Sequence, residues 1–586
     1  VIHRIYSDLP SFKELNFHKA LNIVLADKSP GATEQQTRNA AGKTSIIEII
    51  HFLTGSQCDQ QSIFSKKAIA QYSFGMEFDL LNSRVCVERS AAAKGDIVVV
   101  RGDTSKWPVT TQTDKTTGKE IISWTDWKKV LGHLIFGLEY QRRESAETKY
   151  TPKFRSLFSY FVRREGEDGM RSPLSQSKDQ QIWDQQVAIM FLLGLDWPLA
   201  KQWQLVRDKE KLLAGLKQIA KTEEAADILE SAARLRTLMT VSEDRTRRLR
   251  EALQQFNVLP GYRDLEREAS EIANGIAQLF NDNFLDTELT SDIEKSLREE
   301  TAPSFDQIEG VYKEIGISLA GNVKRRFEEI QSFHLSVIEN RRAYLSRELN
   351  EAKERISERN AKLGRMSERE AQIMGLLKTH GALDQYTKLH TELSKREAET
   401  ESIRQRYLAA EEFESKKNEL GIQRGRLQVR LKQEYEERRG VVDHAILTFE
   451  GFSSDLYEKA GSLTIDTSAN GPKFEISIQG QGSKGIGNMQ IFCFDMMLMT
   501  MCGERNLGPG FLVHDSHLFD GVDERQTAKA LQIGETKANE LGFQYIVTMN
   551  SDIARSCLGE KFIDEHAILP RLTDATEDGG LFGIRF

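Results

Sequence analysis

Lys43 and Thr44 stand in the run Thr37-Arg38-Asn39-Ala40-Ala41-Gly42-Lys43-Thr44-Ser45, between two apolar stretches, Leu21 to Ala26 and Ile46 to Leu53. The first reads as a buried strand and the second as an apolar-faced helix that Gly55 stops. Strand, loop, helix with Gly-Lys-Thr at the joint is the arrangement that binds phosphate. Backbone N–H groups and the positive end of the helix hold phosphate oxygens. Lys43 is placed to reach the β- and γ-phosphates of ATP as a point charge, and the Thr44 hydroxyl to ligate Mg²⁺. Gly42, without a Cβ, lets backbone approach the phosphates. Two features depart from the common pattern. Thr37 and Ala40 occupy places where glycines are usual, and the connection Asp27 to Gln36 is long. The bland alternative is a surface helix start.

A magnesium site of this kind calls for an acid, and the chain supplies one far away. Phe511, Leu512 and Val513 read as a buried strand, with Asp515 at its C-terminal end. Ligands of open α/β sheets gather at such ends. Asp515 is therefore a metal candidate together with Thr44; a strand-capping aspartate is the alternative. Between them lies Gly480 to Leu498, a glycine-rich turn feeding an apolar helix. The free N–H groups at its start suit a γ-phosphate, which in this architecture belongs to an opposite subunit; a flexible loop before a core helix is the plainer reading.

The surrounding chain must bring these pieces together. Residues 1–199 mix strand-like and helical runs, 200–445 are charged, proline-poor and helical, and 446–586 return to the mixed pattern. In the middle, Leu, Ile and Ala recur at three- and four-residue spacing among Glu, Lys and Arg, as in a coiled coil. It is interrupted at 257–264, 299–305 and 377–386, and a tip near 300–322 would make the arms roughly equal. Ser462 to Ser477 reads as two strands around an Asn-Gly turn. Neither mixed end is a complete α/β unit: the first has the phosphate loop but no acidic strand, the second the reverse. The expected fold is therefore α/β, with one head assembled from the N- and C-terminal segments and an inserted antiparallel coiled-coil arm. Three separate domains joined by helical linkers is the alternative.

Bulk properties narrow the class. The net charge of −8 across 586 residues gives no global basic signal for nucleic acid. The five cysteines form no close pair, which fits a reduced protein without a disulfide framework or a cysteine zinc site. No apolar run reaches the ~18 residues of a membrane span, and the start lacks the build of a signal peptide. The expectation is a soluble cytoplasmic protein with no membrane partner. Arg234 to Arg250 is locally basic, although a solvated coil face explains it more simply.

The order of these motifs resembles the SMC-like ATPases, the coiled-coil branch of the ABC ATPases that includes RecN, RecF and the chromosome condensation proteins. The stretches LLGLDWP, FHLSVIENRRAYL, FLVHDSHLFDGVDERQ and QYIVTMNSD look more narrowly like a bacterial SMC-like family with a C-terminal domain of unknown function. The resemblance implies that Thr37 to Thr44 is the Walker A segment and Asp515 the Walker B aspartate. Ser483 to Gly487, with Gly485 and Gly487, would stand at the ABC signature, matching only in position and glycine content. Asp523 falls near the D-loop aspartate and Asn550 near the switch position where many relatives carry histidine. The Q-loop would lie around residues 158–168, with no convincing glutamine and Arg163 or Arg164 the only guesses. The resemblance also implies a homodimer with ATP sandwiched between heads, DNA as the usual client, and an operon-encoded protein partner, including in anti-phage defence.

One departure bears on mechanism. The glutamate that usually follows the Walker B aspartate is Ser516 here. A serine does not accept a proton at neutral pH as a carboxylate does, and general base catalysis contributes about 10²–10⁴ in rate. His517 is the best-placed substitute because imidazole titrates near neutrality; a structural histidine at a strand end reads equally well. Two functions follow: a DNA-linked ATPase motor or clamp, and an ATP-gated scaffold or sensor with little hydrolysis that activates a partner effector such as a nuclease. Ser516 favours the second.

Overall fold

The computed structural model describes residues 1–27, 41–60, 62–81, 83–92, 96–115, 117–140, 148–219, 231–256, 263–299, 323–377, 383–457, 460–478, 483–576 and 578–584. The expected phosphate-loop residues Thr37, Arg38, Asn39 and Ala40 lie outside the described residues, as does the proposed tip at 300–322. The chain divides into two compact units, one from Val1–Arg207 and Gln423–Phe586, the other from Asp208–Ile315 and Val323–Ile422.

The first unit is α/β and is built from both ends of the chain. Its parallel sheet has the strand order Phe511–His514, Gln544–Asn550, Ala20–Asp27, Leu572–Thr573. The only N-terminal member among the described residues, Ala20–Asp27, thus lies between two C-terminal strands. Leu21, Ile23, Val24 and Leu25 are all fully buried. An unbroken apolar run, not an alternating one, is what a parallel strand covered on both faces requires. The buried Gln544 side chain ties the ends further. Its Oε1 accepts from Ile2 N at 2.8 Å, and its Nε2 donates to Ile2 O and His18 O at 2.9 and 2.8 Å. A second, antiparallel sheet of seven strands is wholly N-terminal, with Ile2–Ser7, Ser73–Leu80, Ser83–Ser90 and Ile97–Arg101 as its longer members. The hairpin Ser462–Ser468 and Gly471–Ser477 forms as expected, but Gly471 pairs with Ser468, so Ala469 and Asn470 make the turn. Gly471 instead opens the second strand at φ 101°.

The helix Lys484–Gly503 is buried continuously from Asn488 to Cys502, as a helix without a solvent face must be. It carries one charge in that stretch. Asp495 is fully buried and forms a two-pronged ion pair with Arg163, equally buried, with Nε–Oδ2 and Nη2–Oδ1 both at 2.7 Å. The rest of the guanidinium donates to the carbonyls of Gly169, Ser172, Pro173 and Ser175. Arg163 therefore spends its donors on holding a loop against the core helix, not on facing a nucleotide. Arg164 is likewise committed, to Glu48 and Glu167.

The second unit is helical and antiparallel. Ala232, Ser242 and Thr246 on the Ala232–Gln254 helix bond to Glu414, Thr400 and Thr400 on the Leu383–Glu437 helix. Further out, Glu268, Asp286 and Glu294 of Arg263–Glu299 pair with Arg369, Arg355 and Lys353 of Val323–Leu377. In both pairs one partner's number rises as the other's falls. Both helix pairs therefore run antiparallel. Phe256 and Tyr386, beside the interruptions expected at 257–264 and 377–386, stand with their ring centroids 6.2 Å apart. No helix among the described residues is long and apolar enough to cross a membrane.

Removing one side of a buried ion pair strands the other charge in a low-dielectric interior, a loss of about 3–5 kcal/mol. Arg163→Ala and Asp495→Ala are each expected to lose roughly that much in urea denaturation. The double variant should lose less than the sum, because it leaves neither charge unpaired.

Candidate phosphate-binding site

The helix Lys43–Leu53 starts at Gly42, whose φ of 83° is left-handed and favours glycine. Its first two residues meet the C-terminal half of the chain. Lys43 Nζ donates to Asn550 Oδ1 at 2.7 Å. Thr44 Oγ1 donates to Asp515 Oδ2 at 2.7 Å. Asp515 follows the Phe511–His514 strand and Asn550 ends the adjacent Gln544–Asn550 strand. Both sit where a parallel sheet gathers its ligands.

Asp515 is fully buried and surrounded by donors. Thr548 Oγ1 donates to its Oδ1 at 2.6 Å, Ser516 N to the same oxygen at 2.8 Å, and His517 Nδ1 lies 2.9 Å from Oδ2. Burial pushes its carboxyl pKa up, but the bonds from His517, Thr548 and Thr44 outweigh that and hold it below the usual carboxylate range. Asp515 is thus a charged acid kept ionised in a dry place. His517 responds in the opposite sense: its bond to Asp515 raises its pKa against the lowering effect of burial. An imidazole that gives Nδ1–H to a carboxylate leaves Nε2 as a strengthened proton acceptor. Ser516 Oγ stands 3.4 Å from Asp515 Oδ1, facing the acid, with no means of acting as a base itself.

The oxygens of Thr44 and Asp515 fit Mg²⁺. Hydroxyl and carboxylate are hard ligands, and their 2.7 Å separation is close to the roughly 2.9 Å between neighbouring ligands of an octahedral ion with ~2.05 Å bonds. Among the described residues no group of three His, Cys, Asp or Glu could hold a metal unaided. Substrate phosphates would supply further ligands, as is usual for this ion.

The other expected residues lie elsewhere. Ser483 caps Lys484–Gly503 without a side-chain bond. Gly485 packs so tightly on the 521 backbone that a Cβ would come 2.2 Å from Gly521 O, whereas Gly487 faces open space. Asp523 caps the helix Glu524–Leu541 through Arg525 N. Among the described residues, the hydrogen bonds of Ser483, Gly485, Gly487 and Asp523 stay within residues 483–527. Asn488 links the two segments, donating to the carbonyls of His517 and Asp520 at 3.1 Å each.

Two contributors escape a reading of the sequence. Thr548 is one residue among apolar neighbours, and only strand adjacency shows that it faces Asp515. His51 is the other. Fully buried, it sits between Val162 O, 2.8 Å from Nε2, and the Arg155 guanidinium at Nδ1. Val162 in turn bridges Val513. His51 thereby bolts the helix bearing Lys43 and Thr44 to the strand leading to Asp515.

Residues 452–586, which hold Asp515 through Asn550, match the family model of an uncharacterised protein conserved in bacteria, DUF2326. Residues 289–414 match C-terminal domain 10 of the ABC-three component systems. The chain is 21% identical to the uncharacterised protein YydD of Bacillus subtilis (strain 168), over 98% of its own length and 97% of that protein. Among solved structures it is similar to an Smc head domain with coiled coil and joint from Pyrococcus yayanosii, with 13% identity, 99% and 96% coverage and a TM-score of 0.35. It is also similar to an Smc head domain with an extended coiled coil bound to the C-terminal domain of ScpA from Pyrococcus furiosus (9% identity, 95% and 91% coverage, TM-score 0.31). The recombination mediator protein RecF of the RecFOR pathway is a third such likeness (10% identity, 94% and 92% coverage, TM-score 0.30). The assembly of the α/β unit from both ends of the chain stands on its own strand pairing.

Burial, then the charges of Arg155 and Arg164, hold the His51 pKa well below its ordinary 6.5. The unfolded chain therefore binds a proton near pH 6.5 that the folded chain refuses. Stability is full above that pH and falls as pH drops below it, by at most ~1.4 kcal/mol per pH unit. His517, with its raised pKa, contributes the opposite sign in the same range, so the check is a difference: between pH 7.5 and 5.5 the urea stability of wild type should fall relative to His51→Gln by this slope.

Proposed function

We propose that this chain binds and hydrolyses ATP with Mg²⁺ where Lys43, Thr44, Asp515, His517 and Asn550 converge. The supporting observation is the pair of bonds Thr44–Asp515 and Lys43–Asn550, which join residues 471 and 507 positions apart. A lysine and threonine at a helix start, facing an acid and an amide at two strand ends, is a triphosphate site in charge and in shape. Thr37 to Ser45 would hold the phosphates, with Lys43 on the β- and γ-groups, and Thr44 and Asp515 would hold the magnesium, which would neutralise phosphate charge. Residues 1–199 and 446–586 form the head and 200–445 the arm.

Water attacks the γ-phosphorus while the bond to the ADP oxygen breaks. His517 Nε2 takes the proton of that water, in the place of the carboxylate that Ser516 lacks. Ser483, Gly485 and Gly487, with Asp523 near by, cap the nucleotide of an opposite head, so ATP joins two copies and hydrolysis separates them. The match of residues 289–414 to a three-component system supports a protein partner encoded alongside, in DNA maintenance or anti-phage defence. Ser516 favours a second reading, an ATP-gated sensor with little hydrolysis that activates a partner such as a nuclease.

Single-turnover hydrolysis of radiolabelled ATP, with and without DNA, tests both. Lys43→Ala should abolish binding and turnover. His517→Ala should slow the chemical step by about 10²–10⁴, the range for losing a general base, with ATP affinity little changed. Ser516→Glu should accelerate it. Turnover at background in the wild type, with ATP still bound, would favour the sensor. Light scattering should show ATP-dependent doubling of mass in the wild type and none in Lys43→Ala.

A further inference from the structure

Outside the site, one segment touches both ends of the phosphate-binding loop. From Ala567 the chain runs beside the Ala20–Asp27 strand: Ala567 bridges Ile23, and Ile568 N donates to Ile23 O at 3.0 Å. Leu572 and Thr573 then pair with Ala26 and Asp27, the last strand residues before the loop. Thr573 N donates to Gly579 O at 2.9 Å, which returns the chain toward residues 11–13. Leu581 N donates to Ala41 O at 3.1 Å, and Leu581 O accepts from Lys13 N at 2.9 Å. Ser11 Oγ donates to Phe582 O at 2.7 Å, and the Phe582 ring meets Phe12 and Phe74 at 5.9 and 5.7 Å. Leu581 is fully buried. A Cβ on Gly42 would come 2.9 Å from Leu581 Cβ.

We propose that the stretch from Ala567 to Gly583 is a strap that fixes the entry and exit of the phosphate-binding loop, with Leu581 the residue that positions Ala41 and Gly42 for nucleotide. This rests on the ATP-binding reading above. The physical ground is preorganisation. Ligand affinity falls when binding must first order the groups that make the contacts, and the N–H groups of a helix start bind phosphate only when they converge. The strap sets that convergence from outside the site. Gly42 is required both by its left-handed φ and by the Leu581 side chain lying against it.

The test uses the full chain and a fluorescent mant-ATP titration with Mg²⁺. Leu581→Pro removes the N–H that Ala41 O accepts; Leu581→Ala keeps it. The proline variant should weaken mant-ATP binding at least tenfold and raise KM in step, with kcat within threefold of wild type. The alanine variant should shift binding less than threefold. A folded proline variant with wild-type affinity, even one with a lowered melting temperature, overturns the strap. Where that variant does not fold, hydrogen exchange of the wild type decides. Added protection of the Leu581 and Lys13 amides on mant-ATP binding supports the proposal, and none overturns it. A wild type that binds no mant-ATP overturns the ATP reading and the strap with it, whereas wild-type binding that Leu581→Pro leaves intact overturns the strap alone.

Discussion

The Ala20–Asp27 strand is buried on both faces and has no neighbour in its sheet from its own half of the chain. Its backbone N–H and C=O groups must be paired, since an orphaned polar group in an apolar interior is costly. Gln544–Asn550 and Leu572–Thr573 pair them. Everything else depends on this constraint. The two chain ends cannot form their parallel sheet separately, so the intervening residues must leave and return. An antiparallel helical hairpin is a direct way for a chain to do so.

The same pairing concentrates charge. Lys43 and Thr44 sit at a helix start, where the dipole favours anions, and Asp515 is an anion already there. The acid is fully buried and yet stays ionised, because four donors converge on its two oxygens. In a low-dielectric site, such bonds outweigh desolvation only when geometry is good. The arrangement is therefore specific: it needs the register of two strands and the start of one helix to be right together. Ser516 removes one carboxylate from this crowd. With Asp515 already charged and dry, a second acid would raise the local repulsion, while an imidazole at His517 adds basicity without adding negative charge.

Around the site, buried polar groups act as fasteners. Arg163 holds Asp495 and four carbonyls, and His51 holds Val162 and Arg155. Each links elements that belong to different stretches of sequence. Their cost is desolvation, offset by complete hydrogen bonding; their effect is that the helix carrying Lys43 is fastened through His51 and Val162 to the strand leading to Asp515. Leu581 continues the theme with an apolar side chain and two backbone bonds.

By itself the sequence determined the local elements and the chemistry they could support. Strand-loop-helix around Lys43, the acid after Phe511–Val513, the charged helical middle and the incompleteness of each end were all legible, because apolar period and turn residues are local properties. It also paired Lys43 and Thr44 with Asp515, whereas Asn550 entered only through the family resemblance. The tertiary structure decided which other groups enter it. Thr548 faces Asp515 only because two strands are adjacent, and Arg163 turned from a nucleotide candidate into the partner of a buried aspartate. It likewise placed the turn at Ala469–Asn470 and gave Gly42 a second reason for being glycine, the nearby Leu581. These depend on packing between residues hundreds of positions apart, and no local pattern encodes a contact of that range.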